Sequence, residues 1–117
     1  MQVGYFAQPL HPPGSDSSET LQHDLYQMEK LDEWGCHEAL IGEHYSAQWE
    51  NISAPEIFIA NALARTKNII LGTGVTCMPN HNPFHIAHRI ALIDNLARGR
   101  FYWGVGSGGT PTDFQVF

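Results

Sequence analysis

Glu43-His44 and the run Gly104-Val105-Gly106-Ser107-Gly108-Gly109 are the residues of this chain best suited to chemistry. A histidine exchanges a proton near neutral pH, its unperturbed pKa being about 6.5. His44 can therefore serve as a proton donor or acceptor. The plainer alternative is a loop histidine that only hydrogen-bonds its neighbours. The glycine run matches GxGxxG in form, which in a dinucleotide fold cradles a pyrophosphate. That fingerprint follows a first strand, opens a helix and has an acidic residue about 20 positions on. Here Thr110-Pro111 follows instead. Close backbone approach to some other ligand, with glycine supplying a positive φ, fits these residues better.

Seven histidines raise the question of a metal. His81, His85 and His88 have the spacing of one helix face, but no acidic or cysteine ligand stands near them. We expect no metal. His37-Glu38 does not continue as HExxH, and Val105 stands where a GxSxG motif around Ser107 would need its first glycine.

The elements that must position these residues alternate. Val3 to Ala7 reads as a strand, and a proline-rich loop follows. Leu21, Leu25, Met28 and Leu31 recur at helical spacing, so residues 19–34 read as a helix stopped by Gly35. Residues 38–42 form a second strand centred on Ala39-Leu40-Ile41. Ser53-Ala54-Pro55-Glu56 has the form of a capping box, opening a helix with Ile57, Ala60, Leu63 and Ala64 on its apolar face. Residues 68–75 are β-branched and apolar, a strand buried on both faces. Asn82-Pro83 caps a helix carrying Ile86, Ile90, Ile93 and Ala97, and residues 100–105 are a fourth strand. Trp103 on that strand faces either a barrel interior or a helix layer.

The order β-α-β-α-β-α-β requires a parallel sheet with crossover helices. A doubly wound open sheet and half of a (β/α)₈ barrel both satisfy it. In either, ligands sit at the carboxyl ends of the strands. Those ends are Gln8-Pro9-Leu10-His11, Glu43-His44-Tyr45, Thr73-Gly74-Val75-Thr76 and Gly106-Ser107-Gly108-Gly109.

Composition narrows the class further. The 117 residues are expected to form a single domain, and 43% of them are hydrophobic, enough for a core. Only 15% are charged, fewer than in an average globular protein. Six basic and twelve acidic residues give a net charge of −6, which argues against nucleic acid as a partner. No apolar run is long enough to span a membrane. The two cysteines, Cys36 and Cys77, are expected to be reduced thiols of a cytoplasmic protein.

Several stretches are familiar in combination. They are Glu43-His44-Tyr45, Ala62-Leu63-Ala64-Arg65-Thr66-Lys67, Leu71-Gly72-Thr73-Gly74-Val75, His81-Asn82-Pro83 and Asp94-Asn95-Leu96-Ala97-Arg98-Gly99-Arg100-Phe101. Together with Gly104-Val105-Gly106-Ser107-Gly108 and Asp113-Phe114 they resemble the luciferase-like flavin-dependent monooxygenases. The opening Gly4-Tyr5-Phe6-Ala7-Gln8-Pro9-Leu10-His11-Pro12-Pro13-Gly14, with Pro79-Asn80-His81-Asn82-Pro83-Phe84, is most similar to the limonene-monooxygenase-like branch. Bacterial luciferases proper carry Glu-His-His, and an arginine near the position of Ser107; this chain has Glu43-His44-Tyr45 and a serine.

The resemblance implies the N-terminal part of a (β/α)₈ barrel, since a whole barrel takes about 250 residues. It implies reduced FMN as cofactor, or a deazaflavin coenzyme in the dehydrogenases of the same superfamily. It implies oxygen and a small organic substrate, a flavin reductase as supplier of reduced flavin, and a homo-oligomer at full length. His44 would be the catalytic residue. Ala7, Glu43, Gly74, Val75, Gly106 and Ser107 would bind cofactor, with a non-prolyl cis peptide often found at Gly74-Val75. Residues 1–117 alone would be inactive, or a remnant acting only through association.

Overall fold

The computed structural model describes residues 1–117, the side chain of Ala7 excepted. Four strands form one sheet: β1 (Gly4–Ala7), β2 (Glu38–Ile41), β3 (Ile70–Cys77) and β4 (Phe101–Gly106). Their order is β1-β2-β3-β4 and every pair is parallel, as the alternation requires. The crossovers are α1 (Ser17–Glu33), α2 (Pro55–Arg65) and α3 (Pro83–Ala97). A short helix, α4 (Pro111–Val116), follows β4.

One hydrophobic cluster decides between the two architectures left open by sequence. Leu25 and Met28 of α1, Ile59 and Leu63 of α2, and Ile86, Ile90 and Ile93 of α3 all belong to it. From the sheet it takes Ala39, Ile41, Leu71 and Phe101. In β2 these are alternate residues, and Leu71 pairs with Phe101, so all three helices cover the same face. A doubly wound sheet would have helices on both faces. The arrangement is that of barrel strands with their outer helices.

The other face carries Phe6, Leu40 and Tyr102, interleaved with Gly72 and Gly74. A Cβ on Gly72 would lie 2.8 Å from Leu40 Cδ2, and one on Gly74 would lie 2.8 Å from Phe6 Cε2. Phe6 is 60% exposed and Tyr102 45% exposed. Trp103 takes the helix-side alternative. It pairs with the buried Thr73, and its indole N–H donates to Thr76 Oγ1 at 3.2 Å.

Three local details differ from the sequence reading. Asp16 caps α1, accepting from the N–H groups of Ser18 (2.8 Å) and Glu19 (3.0 Å), so the helix starts ahead of residue 19. The apolar spacing cannot mark a polar first turn, but the cap can. Ser53 does not form a capping box: the N-cap position of α2 is Ala54, without a side-chain bond. The box needs its glutamate free to reach back to the N-cap, whereas Glu56 is buried with Arg89 Nη1 2.8 Å from its Oε1. That ion pair is not aligned as a hydrogen bond, and among the described residues neither carboxylate oxygen has a hydrogen-bond partner. Finally, β3 runs from Ile70 to Cys77, shifted toward its carboxyl end relative to residues 68–75.

The shift has a cause in Asp32. Its carboxylate accepts from the N–H groups of Lys67 (2.7 Å), Asn68 (2.9 Å) and Ile69 (2.7 Å), holding that turn out of the ladder. Arg100 fastens the same end, donating to Thr66 Oγ1, Ile69 O and Leu63 O. Burial alone would raise the Asp32 pKa; the N–H groups of Lys67, Ile69 and Asn68, with Arg100 nearby, outweigh it and hold the carboxyl below its ordinary range. A depressed folded pKa gives stability that is present above the unfolded value and lost as pH falls through the folded one. Asp32→Ala should therefore cost on the order of 2 kcal/mol at neutral pH, with the deficit shrinking once pH drops below the usual aspartate value of about 3.9. Urea unfolding at both pH values checks this; a deficit independent of pH would contradict it.

Candidate active site

The carboxyl ends of the four strands surround a cleft of about 570 Å³, within the range of small-molecule sites. Gln8 follows β1. Glu43 and His44 follow β2. Gly74, Val75 and Cys77 come from β3, Gly106 ends β4 and Ser107 to Thr110 follow it; Glu50 completes the lining from the β2–α2 loop. Each expected strand end thus contributes to the cleft, but Pro9, Leu10, His11, Tyr45, Thr73 and Thr76 of those ends do not line it.

His44 is held at both ring nitrogens. Nε2 lies 2.9 Å from Glu50 Oε2. Nδ1 lies 3.0 Å from the Thr110 hydroxyl and 3.8 Å from Asp113 Oδ2. That approach is an ion-pair contact not aligned as a hydrogen bond; the aligned bond of the ring is the one at Nδ1. Nδ1 either accepts from Thr110 O–H or, when protonated, donates to Thr110 Oγ1 while facing Asp113. Either protonation state keeps the Thr110 bond.

Asp113 is itself buried and locked in place. It accepts from Ser46 N–H at 2.8 Å, from Tyr45 N–H at 3.3 Å and from the Ser46 hydroxyl. Burial pushes its pKa up, but the Ser46 hydroxyl, the two backbone N–H groups and His44 together outweigh this and hold it below the ordinary range. It stays ionised, a fixed negative charge beside Nδ1.

Glu43 is placed differently from its neighbour. The residue is 2% exposed, and its carboxylate meets His81 Nε2 at 2.9–3.0 Å, while Cys77 N–H donates to Oε2 at 3.3 Å. Arg89 Nη2 lies 3.3 Å from His81 Nδ1. Arginine only donates, so Nδ1 accepts and the His81 proton sits on Nε2, directed at Glu43. Burial raises the Glu43 pKa, opposed by His81 and Cys77 N–H. Burial and then the Glu43 charge push the neighbouring Tyr45 phenol up to about 12, so it stays neutral. The same two causes raise Cys77, which keeps it a thiol rather than a nucleophilic thiolate. The His88 ring meets that of Phe84 at 4.5 Å in a tilted arrangement.

The β3 and β4 sides of the cleft are rich in glycine: Gly74, Gly106, Gly108 and Gly109 all line it. The Gly74–Val75 peptide is cis, and it sits where β3 places two residues against one of β4, between the Thr73–Trp103 and Thr76–Val105 pairs. Such a bulge re-aims the chain. Gly106 closes against it: a Cβ there would lie 2.8 Å from Val75 Cγ2. Gly108 has φ +77°, the conformation expected for this glycine run. Ala7 ends β1 opposite Ile41; its side chain is outside the described atoms. Ser107 lines the cleft, its hydroxyl donating to Gly108 O at 3.3 Å.

Residues 1–117 match the model of the family described as luciferase-like monooxygenase. The chain belongs to that family. Among its relatives, 4-hydroxyprotoasukamycin monooxygenase of Streptomyces nodosus subsp. asukaensis is 50% identical over 98% of this chain and 31% of its own length. Limonene 1,2-monooxygenase of Rhodococcus erythropolis is 42% identical over 99% of this chain and 30% of its own. The FMN complex of the oxygenating constituent of 3,6-diketocamphane monooxygenase from Pseudomonas putida superposes with a TM-score of 0.94 at 30% identity, covering 99% of this chain and 32% of that one. Coenzyme F420-dependent tetrahydromethanopterin reductase of Methanopyrus kandleri matches at 0.71 with 26% identity, over 98% and 29%. The chain therefore spans about a third of the length of the curated relatives it matches. Its fold is the N-terminal part of the family's (β/α)₈ barrel, and the likeness to limonene and diketocamphane monooxygenases agrees with the branch read from sequence.

Glu50 and Thr110 were not legible as site residues, and Asp113 was legible only within the family motif. Glu50 lies in the same loop as His44, but nothing in its spacing aims it back. Thr110 and Asp113 reach His44 from across the cleft, a contact that exists only once β2 and β4 are two strands apart in the sheet.

Proposed function

We propose that this chain carries the flavin-facing part of a monooxygenase that uses reduced FMN and oxygen to oxygenate a small organic substrate. The observation that carries the reading is a histidine fastened at both ring nitrogens beside a glycine-rich floor, where the strand ends converge. The floor fits a flat ring system. Gly74 and Gly106 project no side chain, so the Gly74-Val75 and Gly106-Ser107 backbone can approach a ring closely. Among the described residues the cleft lining has no Lys or Arg, so these residues would address the ring of FMN rather than its phosphate.

When bound, reduced FMN would supply the two electrons by which dioxygen gives one atom to the substrate and one to water. Forming water consumes protons. His44 can hold one at Nδ1, stabilised by the ionised Asp113, and release it while Nε2 stays against the Glu50 carboxylate. Glu43, turned toward His81, would hold the β2 end that carries His44. Thr110 would keep the imidazole in its plane. A flavin reductase supplying the reduced cofactor and a homo-oligomeric full-length enzyme belong to this reading.

The likeness to an F420-dependent reductase supports a second reading, hydride transfer with a deazaflavin. Anaerobic titration of the full-length protein separates them. Tighter binding of reduced than of oxidised FMN is expected. Equal affinity for the two redox forms, or a preference for the deazaflavin, would overturn the monooxygenase reading.

A further inference from the structure

His11 lies in the β1–α1 loop, outside the cleft, and is 5% exposed. Its Nε2 meets Asp24 Oδ2 of α1 at 2.7 Å, in a pair whose side chains are 6% and 8% exposed. Its Nδ1 contacts the side-chain amide of Asn51. Its backbone N–H donates to Trp49 O at 2.6 Å. One residue thus grips the β2–α2 loop at Trp49 and at Asn51. The residue between them is Glu50, whose carboxylate holds His44. The loop is closed a third time by His44 N–H donating to Ile52 O at 3.0 Å.

A buried histidine–carboxylate contact is an expensive way to hold a surface loop. Taking a carboxylate and its polar partner out of water is repaid only with good geometry and further hydrogen bonds, and burial does raise the Asp24 pKa against the pull of His11. The arrangement is intelligible if the loop must be held to within a fraction of an ångström. A carboxylate on a free loop would spend little time 2.9 Å from an imidazole.

We propose that His11, anchored on Asp24 and clasping Trp49 and Asn51, is a positioning residue that sets the Glu50 carboxylate against His44. This deepens the proposed proton role of His44 and rests on it. Neither ring nitrogen of His11 is free for other work. The amide of Asn51 can turn to offer oxygen or nitrogen, so the clasp persists in either protonation state of His11.

The test is a double-mutant cycle in the full-length enzyme. Asn51 is exposed, so Asn51→Ala spares the core. It should lower kcat between about tenfold and a hundredfold, as misplacement of a catalytic group does, with KM for substrate and the affinity for reduced FMN unchanged. Asn51→Asp, which can still face the His11 ring, should recover most of the loss. In a Glu50→Ala background, Asn51→Ala should have little further effect, because the two act through one contact. Additive losses, or no loss for Asn51→Ala, would overturn the proposal. Nitrogen NMR of the His44 ring keeps the outcome separate from the functional reading. If His44 proves irrelevant to turnover, Asn51→Ala must still move its Nε2 resonance as Glu50→Ala does. An unmoved resonance sinks the clasp by itself.

Discussion

His44→Ala in the full-length enzyme should slow oxygen transfer by about 10²–10⁴-fold, the usual loss on removing a general acid or base. The affinity for reduced FMN should be nearly unchanged. The asymmetry follows from the geometry. The floor at Gly74-Val75 and Gly106-Ser107 is rich in glycine and does not depend on the His44 side chain, whereas Glu50, Thr110 and Asp113 all converge on the imidazole. Removing the ring leaves Glu50 on the cleft wall and the buried Asp113 behind it with no proton carrier between them. Single-turnover kinetics with pre-bound reduced FMN measures the step directly. Full turnover by the alanine variant would make His44 a loop histidine that only hydrogen-bonds its neighbours. Equal losses in rate and in flavin affinity would make it a binding residue.

The second large effect concerns residues 1–117 expressed alone, which we expect to be inactive and to associate rather than remain monomeric. In this chain β1 and β4 are the edges of the sheet, and unpaired edges are templates for further pairing. The sheet face away from the helices presents Phe6 and Tyr102, and Val105 and Trp103 of the edge strand are exposed as well. Exposed apolar patches favour association, and with 15% charged residues there is little to keep this face apart from other copies. Sedimentation at several concentrations, with thermal unfolding, decides the matter. A monodisperse monomer with one sharp cooperative transition would contradict it.

The alternation of strands and helices was legible because each helix has an apolar face at helical spacing and each strand a short apolar run. The parallel order follows from the crossovers. What periodicity could not say was which sheet face the helices cover. In β4 both Trp103 and Tyr102 are large and apolar enough to be core, and only their partners, Thr73 against Gly72, separate the two sides. Helix starts were misread where chemistry competes. Ser53 and Glu56 have the right types for a cap, but Arg89, 33 residues on, draws Glu56 inward. The strand ends, and with them His44 and the glycine run, could be found because ligands of parallel sheets gather there. The groups that tune His44 could not, since side chains of irregular loops follow no period. α4 escaped notice for a related reason: six residues are too few to show a helical repeat.

The central claim is that reduced flavin lies on the glycine floor beside His44. Hydrogen exchange measured by mass spectrometry on the full-length protein, anaerobically, with and without reduced FMN, tests it most directly. Backbone amides at residues 73–77 and 104–110 should slow on binding, together with those around His44, while α1 on the far side of the sheet stays unchanged. Protection confined to other segments, with these amides exchanging as in the free protein, would contradict it.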